Sequence, residues 1–117
     1  MTKKKIALIF GGQSPEHEIS VISAKNVAKA LDQEKFDSIL IGISTTGTWF
    51  LFSSLEQLES IKTLQDHELR SFSRVVLTCE NLKPQFINLK TSQVIQVDVA
   101  FPIMHGTRGE DGCVQGY

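Results

Sequence analysis

Three short, nearly uninterrupted apolar runs predict strands that are buried within one sheet. The first extends from Ile6 to Phe10, the second is FDSILIGIS at residues 36–44, and the third lies in VDVAFPIMHG at residues 97–106. Continuous apolar runs of this length are typical of parallel strands that are covered on both faces. Pro102 lacks an N–H and therefore disfavours regular pairing near the end of the third run.

The segment between the first two runs has the periodicity of an amphipathic helix. From residue 19 onward, apolar side chains recur at helical intervals while Lys25, Asn26 and Lys29 fall on the opposite side. The apolar positions are Ile19, Ile22, Val27, Ala30 and Leu31. Ser14 and Pro15 have the residue types of an N-cap and a first helical position. We therefore predict an α/β fold, a Rossmann-like open and mainly parallel sheet with flanking helices.

The middle of the chain carries weaker patterns. TTGTWFLF predicts a turn into an extended piece, SLEQLESIKTL a short helix, and FINLKTSQVIQV a hairpin around Lys90, Thr91 and Ser92. Near the end, Asp111 has the residue type of an N-cap, and the helix expected after it would still be in progress at Tyr117, the last residue given. No repeat or linker is evident, so residues 1–117 are predicted to form a single domain.

Composition narrows the classes of partner. The chain has 117 residues, 41% of them hydrophobic and 21% charged, with a net charge of -1. This balance lacks the basic excess of nucleic-acid-binding proteins, and no apolar run approaches the ~20 residues that span a bilayer. We therefore expect a cytoplasmic protein with small-molecule or protein partners, and neither nucleic acid nor membrane. Cys79 and Cys113 are too few for a disulfide framework and are predicted to be buried or half-buried thiols.

Two glycine-containing loops carry the candidate chemistry. GGQSPEHEIS at residues 11–20 follows the first strand, and HGTRGEDG at residues 105–112 follows the last. Ligands of open α/β sheets bind at the carboxyl ends of the strands, so the loops would form one small-molecule site if these strands were neighbours. Neither GxGxxG nor GxxxxGK[ST] occurs, and nucleotide binding by this chain is not supported.

Each polar residue in these loops also has a plain structural interpretation. Acidic residues in a first helical turn stabilise the helix dipole, which is the favoured interpretation of Glu18. His17 alone is more typical of a polar surface or supporting residue than of a ligand. A metal site from His17, His105, Glu16 and Asp111 matches residue type but no recognised spacing, so we predict no metal in this chain.

GGQSPEHEISVISA and HGTRGEDGCVQG resemble, in the same order, the two N-terminal signatures of the D-alanine–D-alanine ligase family of the ATP-grasp superfamily. The resemblance implies an α/β domain that precedes the ATP-grasp module. It also implies the family's reaction, the joining of two D-alanines for peptidoglycan synthesis. In that reaction ATP phosphorylates the carboxylate of the first D-alanine, and the amine of the second attacks the acyl phosphate.

The resemblance also implies roles for individual residues. Glu16 would hold the ammonium of the first D-alanine, His105 would lie beside that substrate, and Ile19 would pack near its methyl group. Ser20 and Gly106 would support the site. The family pattern leaves three further positions as loop, helix-cap or packing residues, namely Glu110, Asp111 and Cys113.

ATP and Mg²⁺ would be bound by later domains of the parent enzyme. Residues 1–117 would then be an N-terminal, substrate-side domain, inactive alone, from a parent expected to be a homodimer. Two alternatives stay open. The chain could be a stand-alone amino-acid-binding module, or a dimerisation domain without catalysis.

Overall fold

The computed structural model describes residues 3–13, 15–32, 34–61, 63–66, 68–80 and 83–103. Within these ranges the elements follow one another in the order β1 Lys4–Gly11, α1 His17–Ala30, β2 Phe36–Ile43, β3 Trp49–Phe52, α2 Leu55–Glu59, β4 Ser73–Glu80, β5 Lys83–Asn88, β6 Val94–Gln96 and β7 Val99–Ile103. The strands form one sheet of order β6-β5-β4-β3-β2-β1-β7. The helix that the sequence predicts after Asp111 lies outside the described residues.

The three predicted apolar runs form the parallel part of the sheet. β1 lies between the other two, pairing in parallel with β2 on one side and with the edge strand β7 on the other. α1 connects β1 to β2. Phe10 is opposite both Gly42 of β2 and Ile103 of β7. The carboxyl ends of β1 and β7 therefore lie at the same edge, as the two-loop hypothesis requires. The predicted α/β class is confirmed.

The remainder of the sheet is antiparallel, so the expectation of a mainly parallel sheet holds only for β2, β1 and β7. β2 pairs antiparallel with β3, and the same orientation continues through β4, β5 and β6. The link between β2 and β3 covers only residues 44–48. A parallel crossover needs about a dozen residues or more, so this link permits only a hairpin.

The sheet is strongly curled. β6 and β7 occupy its two edges, yet only Val97 and Asp98 separate them in sequence. A flat sheet would place these edges about 29 Å apart, whereas this link spans at most about 11 Å. The Asp98 N–H donates to the Lys5 carbonyl at 2.8 Å, and the Lys5 N–H donates to Asp98 Oδ2 at 2.7 Å. The strands β4–β6 consequently fold back towards β1.

Alternate side chains of β1 enter two separate cores because neighbouring residues of a strand point to opposite faces. On one face, Leu8 and Phe10 pack against side chains of α1 and α2. On the other, Ala7 and Ile9 pack with Val75 of β4, Phe86 of β5 and Ala100 of β7, and with Val97 in the link before β7. Both helices of the described part thus flank one face of the sheet, and the curled strands cover the other.

The predicted apolar face of α1 is partly wrong, because Val27 and Leu31 pack against the core but the first two predicted positions do not. Ile19 and Ile22 are 52% and 56% exposed. The buried positions are His17, Ser20, Val21, Ala24 and Ala28. The helix begins at His17 with Glu16 at the N-cap, so Pro15 lies in the preceding turn and not at the first helical position. Ser14, the predicted N-cap, lies outside the described residues. The fixed φ of proline suits a turn as well as a helix start.

The weak patterns of the middle segment are partly confirmed. The hairpin of β5 and β6 has Asn88 at its turn, where the side-chain Oδ1 accepts the N–H groups of Lys90 and Thr91. α2 is shorter than predicted and is capped by Ser54. β4 was not predicted, and Cys79 within it is exposed where a buried or half-buried thiol was expected. No helix among the described ranges has the length and apolar character needed to cross a bilayer.

Candidate functional site

Ser20 joins the ends of the two strands that define the candidate site. It is fully buried, its Oγ accepts the Gly11 N–H at 2.9 Å, and it donates its own proton to the carbonyl of Ile103. One hydroxyl therefore satisfies backbone groups of both β1 and β7, which would otherwise be buried without partners. This contact fixes the start of α1 over the edge where both strands end.

Glu16 stands at the N-terminus of α1 with its side chain exposed. Its carbonyl accepts the Ser20 N–H at 2.9 Å, which is the first hydrogen bond of the helix. Its carboxylate makes no capping hydrogen bond to the helix. The positive end of the helix dipole favours a negative charge here. Ile19, one turn later, is half exposed, so an acidic and an aliphatic side chain lie together at the helix start.

Glu18 has a different environment. The hydroxyl of Thr63 donates to Glu18 Oε1 at 3.2 Å. Glu18 thus connects α1 to the segment that follows α2, whose described residues are 61 and 63–66. We call this stretch the 61–66 segment. The favoured interpretation of Glu18 as a structural residue agrees with this contact.

His17 is buried and bridges two backbone segments, which agrees with the supporting alternative that the sequence left open and not with the surface one. It is 5% exposed, with Nδ1 2.7 Å from the Gly12 carbonyl and Nε2 2.9 Å from the Leu64 nitrogen. The Leu64 N–H can only donate, so Nε2 is the acceptor. Nδ1 therefore carries the proton and donates to Gly12, which defines a neutral ring in a single tautomer.

The 61–66 segment is fixed at its far end by a carboxylate. Thr46 Oγ1 donates to both oxygens of Asp66, at 2.9 and 3.0 Å, and Thr48 Oγ1 approaches Oδ2 at 3.3 Å. Ser44 Oγ lies 3.0 Å from Thr46 Oγ1 and extends the network. The hydroxyls of Ser44, Thr46 and Thr48, with the guanidinium of Arg74, hold the pKa of Asp66 below its ordinary value.

The second half of the predicted site lies beyond the described residues. β7 ends at Ile103, two residues before His105 in the sequence. The predicted positions outside the described ranges are His105, Gly106, Glu110, Asp111 and Cys113. The structure therefore brings Glu16, Ile19 and Ser20 together at the edge of β1 and β7. Among the described residues, no group of three or more His, Cys, Asp or Glu side chains could hold a metal ion.

Sequence reasoning missed the contribution of the 61–66 segment to this edge. Leu64 contacts His17 across 47 residues of sequence, and the Thr45 N–H donates to the Leu64 carbonyl at 3.0 Å. No local pattern marks such contacts, because they are made by backbone groups. The hydroxyl-rich turn TTGT was the one available signal, since its threonines bind Asp66.

Comparison with known proteins identifies the family. The family model described as the D-ala D-ala ligase N-terminus matches residues 5–117. The chain is 40% identical to a D-alanine–D-alanine ligase of Caldicellulosiruptor bescii and 42% identical to one of Proteus mirabilis, with 99% of this chain aligned in both. It covers 31% and 32% of those relatives, and thus spans about a third of their length.

Solved structures agree with this assignment. The VanG D-Ala:D-Ser ligase of Enterococcus faecalis superposes with a TM-score of 0.79 at 36% identity, over 98% of this chain and 33% of that one. The D-alanine–D-alanine ligase of Coxiella burnetii gives 0.78 at 34% identity, over 99% and 32%. The chain therefore belongs to the family of N-terminal domains of D-Ala–D-Ala ligases.

Proposed function

We propose that this chain supplies the first-substrate side of an ATP-dependent ligase that joins two D-alanines for peptidoglycan synthesis. The observation that carries the proposal is the edge formed by β1 and β7, where Glu16 stands exposed at the start of α1. Membership of the ligase family supports the same assignment. The parent protein, and not this segment alone, would catalyse the reaction.

Glu16 would hold the ammonium of the first D-alanine through a charge-assisted hydrogen bond. Ile19 would pack against the methyl group, and Ser20 would keep the helix start at the strand edge through its bonds to Gly11 and Ile103. His105 and Gly106, which follow β7 in sequence, would lie on the other side of the substrate. These contacts leave the substrate carboxylate oriented for phosphorylation.

The chemistry then proceeds in two steps. A carboxylate oxygen of the first D-alanine attacks the γ-phosphorus of ATP, which releases ADP and forms an acyl phosphate. The amine of the second D-alanine attacks the acyl carbon, and the carbon–oxygen bond to phosphate breaks as the peptide bond forms. The role of this chain is to bind and orient the first substrate, and the ATP and Mg²⁺ sites would lie in the rest of the parent.

The separated chain is accordingly expected to have no ligase activity and no measurable affinity for ATP. The physical reason is that its sequence contains no phosphate-binding loop. Calorimetric titration of the 117-residue chain with Mg-ATP tests this expectation. Saturable binding at micromolar ATP would show that the nucleotide site is misplaced in the proposal.

His105→Ala in the parent is expected to raise the Michaelis constant of the first D-alanine about three- to tenfold, since one hydrogen bond contributes about 0.5–1.5 kcal/mol. The constant of the second D-alanine should change little, because the loop after β7 belongs to the first-substrate side. Steady-state kinetics over a wide D-alanine range separates the two constants. Equal effects on both, or none, would remove His105 from this role.

The parent is further proposed to be a cytoplasmic homodimer, which the family resemblance implies. Light scattering coupled to size-exclusion chromatography of the parent measures its mass directly. A monomeric mass at working concentrations would contradict this part of the proposal.

A further inference from the structure

The connection between β1 and α1 begins with a pair of glycines, and the imidazole of His17 hydrogen-bonds back to its start. Gly11 and Gly12 both have positive φ, 87° and 100°, which glycine adopts readily and other residues rarely do. Gly12 begins the stretch and His17 ends it. Because the Nδ1–H of His17 donates to the Gly12 carbonyl, the imidazole ties the two ends of the segment that contains Glu16.

The other ring nitrogen connects this stretch to a rigid support. Nε2 accepts the Leu64 N–H, and the Leu64 carbonyl accepts the Thr45 N–H. The 61–66 segment is also bound to α1, where Lys25 Nζ donates to the Ile61 carbonyl at 2.8 Å. Asp66 binds it to the turn between β2 and β3. His17 is therefore attached to a support that is fixed at several points.

We infer that His17 is a positioning residue that fixes the helix start relative to Gly12, and thereby places the Glu16 carboxylate for the ammonium of the first substrate. The inference rests on the proposed function of Glu16. Glu16 precedes His17 directly, so a displacement of the ring moves the carboxylate. A misplacement of about 1 Å at a reacting site can lower the rate about a hundredfold, so the hydrogen bond from His17 to Gly12 can affect the rate of the reaction.

Two substitutions separate the two hydrogen bonds of the ring. His17→Asn places an amide nitrogen near the Nδ1 position and keeps the donor to Gly12, but loses the acceptor for Leu64. His17→Gln places an amide oxygen near the Nε2 position and keeps the acceptor for Leu64, but loses the donor to Gly12. Both remove the ring from the same buried space, and asparagine is one methylene shorter than glutamine, so the packing loss is larger in His17→Asn.

In the full-length parent, we expect His17→Gln to raise the Michaelis constant for the first D-alanine at least about threefold more than His17→Asn does. The Michaelis constant of the second D-alanine should be the same in both variants, and His17→Asn should melt no higher than His17→Gln, so a packing effect would act against the expected kinetic difference. A residue with a packing role alone would lower the melting temperature without separating the two variants in first-substrate use. That result, or an equal rise in both variants, overturns the inference.

If the His17 variants do not fold, a substitution of the exposed Asp66 tests the same inference. Asp66→Asn weakens the bonds from Thr46 while leaving the ring in place, and should raise the first Michaelis constant about twofold. Asp32→Asn is the matched control, because Asp32 accepts the Glu34 N–H in an exposed turn after α1. Equal behaviour of the two variants overturns the inference. A wild-type parent that does not use D-alanine would instead overturn the proposed function.

Discussion

Glu16→Gln in the parent enzyme is expected to lower catalytic efficiency for the first D-alanine on the order of tenfold to a hundredfold, with little change in melting temperature. Glutamine keeps the size and one acceptor oxygen of glutamate but removes the charge. A hydrogen bond to a charged group contributes about 1.5–3 kcal/mol, which corresponds to this loss. The interaction of a carboxylate with the positive end of the helix dipole contributes about 0.3–1 kcal/mol, so stability should fall by about that amount. Steady-state kinetics and thermal unfolding measure the two effects.

Glu18→Gln is the matched control. It lies two residues away on the same helix start, and its Oε1 accepts a hydrogen bond from Thr63 that the glutamine oxygen can also accept. We expect near-normal kinetics and a similar small change in stability. If both substitutions leave the kinetics unchanged, Glu16 is an acidic helix-start residue, and the binding-module and dimerisation alternatives gain support.

Gly11→Ala is expected to destabilise the chain by about 2–5 kcal/mol. Gly11 has a φ of 87°, which disfavours any residue with a Cβ. An added Cβ would also collide with the backbone carbonyl oxygen of Ile43 and approach His17 Cε1 to 3.2 Å. Ile43 O accepts the Gly12 N–H at 2.8 Å, so the backbone cannot move without breaking that bond. Overpacking of this kind costs about 1–3 kcal/mol beyond the conformational cost. Urea unfolding of the chain measures the change.

Gly47→Ala separates the two causes. Gly47 has a similar φ of 94°, but the nearest atoms to an added Cβ belong to the flexible side chain of Gln13, at 3.3 Å. Only the conformational cost of about 1–2 kcal/mol should remain. Equal losses at the two glycines would show that the contact with Ile43 does not contribute.

The sequence predicted the parallel part of the fold because its signal is local. Each of β1, β2 and β7 contains a short apolar run, and such runs indicate strands buried on both faces. β4 was not predicted, because buried and exposed side chains do not alternate strictly along it. Val75 is buried while Val76 is 39% exposed and Leu77 is intermediate. The curl of the sheet depends on contacts between distant strands, which no local window contains.

The candidate site was predictable to a similar extent. The two loops followed from motifs at strand ends, and the adjacency of β1 and β7 is confirmed. The role of Glu16 came from the family resemblance and stays a proposal. Ser20 was expected to support the site, and His17 to lie either at the surface or in a supporting position, but their partners were missed, because polar residues are expected outside a helix face unless distant backbone groups bind them. Ser20 contacts Ile103 across 83 residues and His17 contacts Leu64 across 47, so neither partner could be inferred from spacing.

The pairing of β1 with β7 gives the candidate site an unusual dependence on folding. β1 is the first strand and β7 the last of the described strands, and the hydrogen bonds between Lys5 and Asp98 join residues 93 positions apart. Closing a loop of that length is entropically unfavourable until the intervening strands have assembled, and contacts of high sequence separation form slowly. Helical content arises from local contacts in α1 and can develop before this closure. Binding of a ligand at the edge would therefore report that the entire domain has folded, which helical content alone would not.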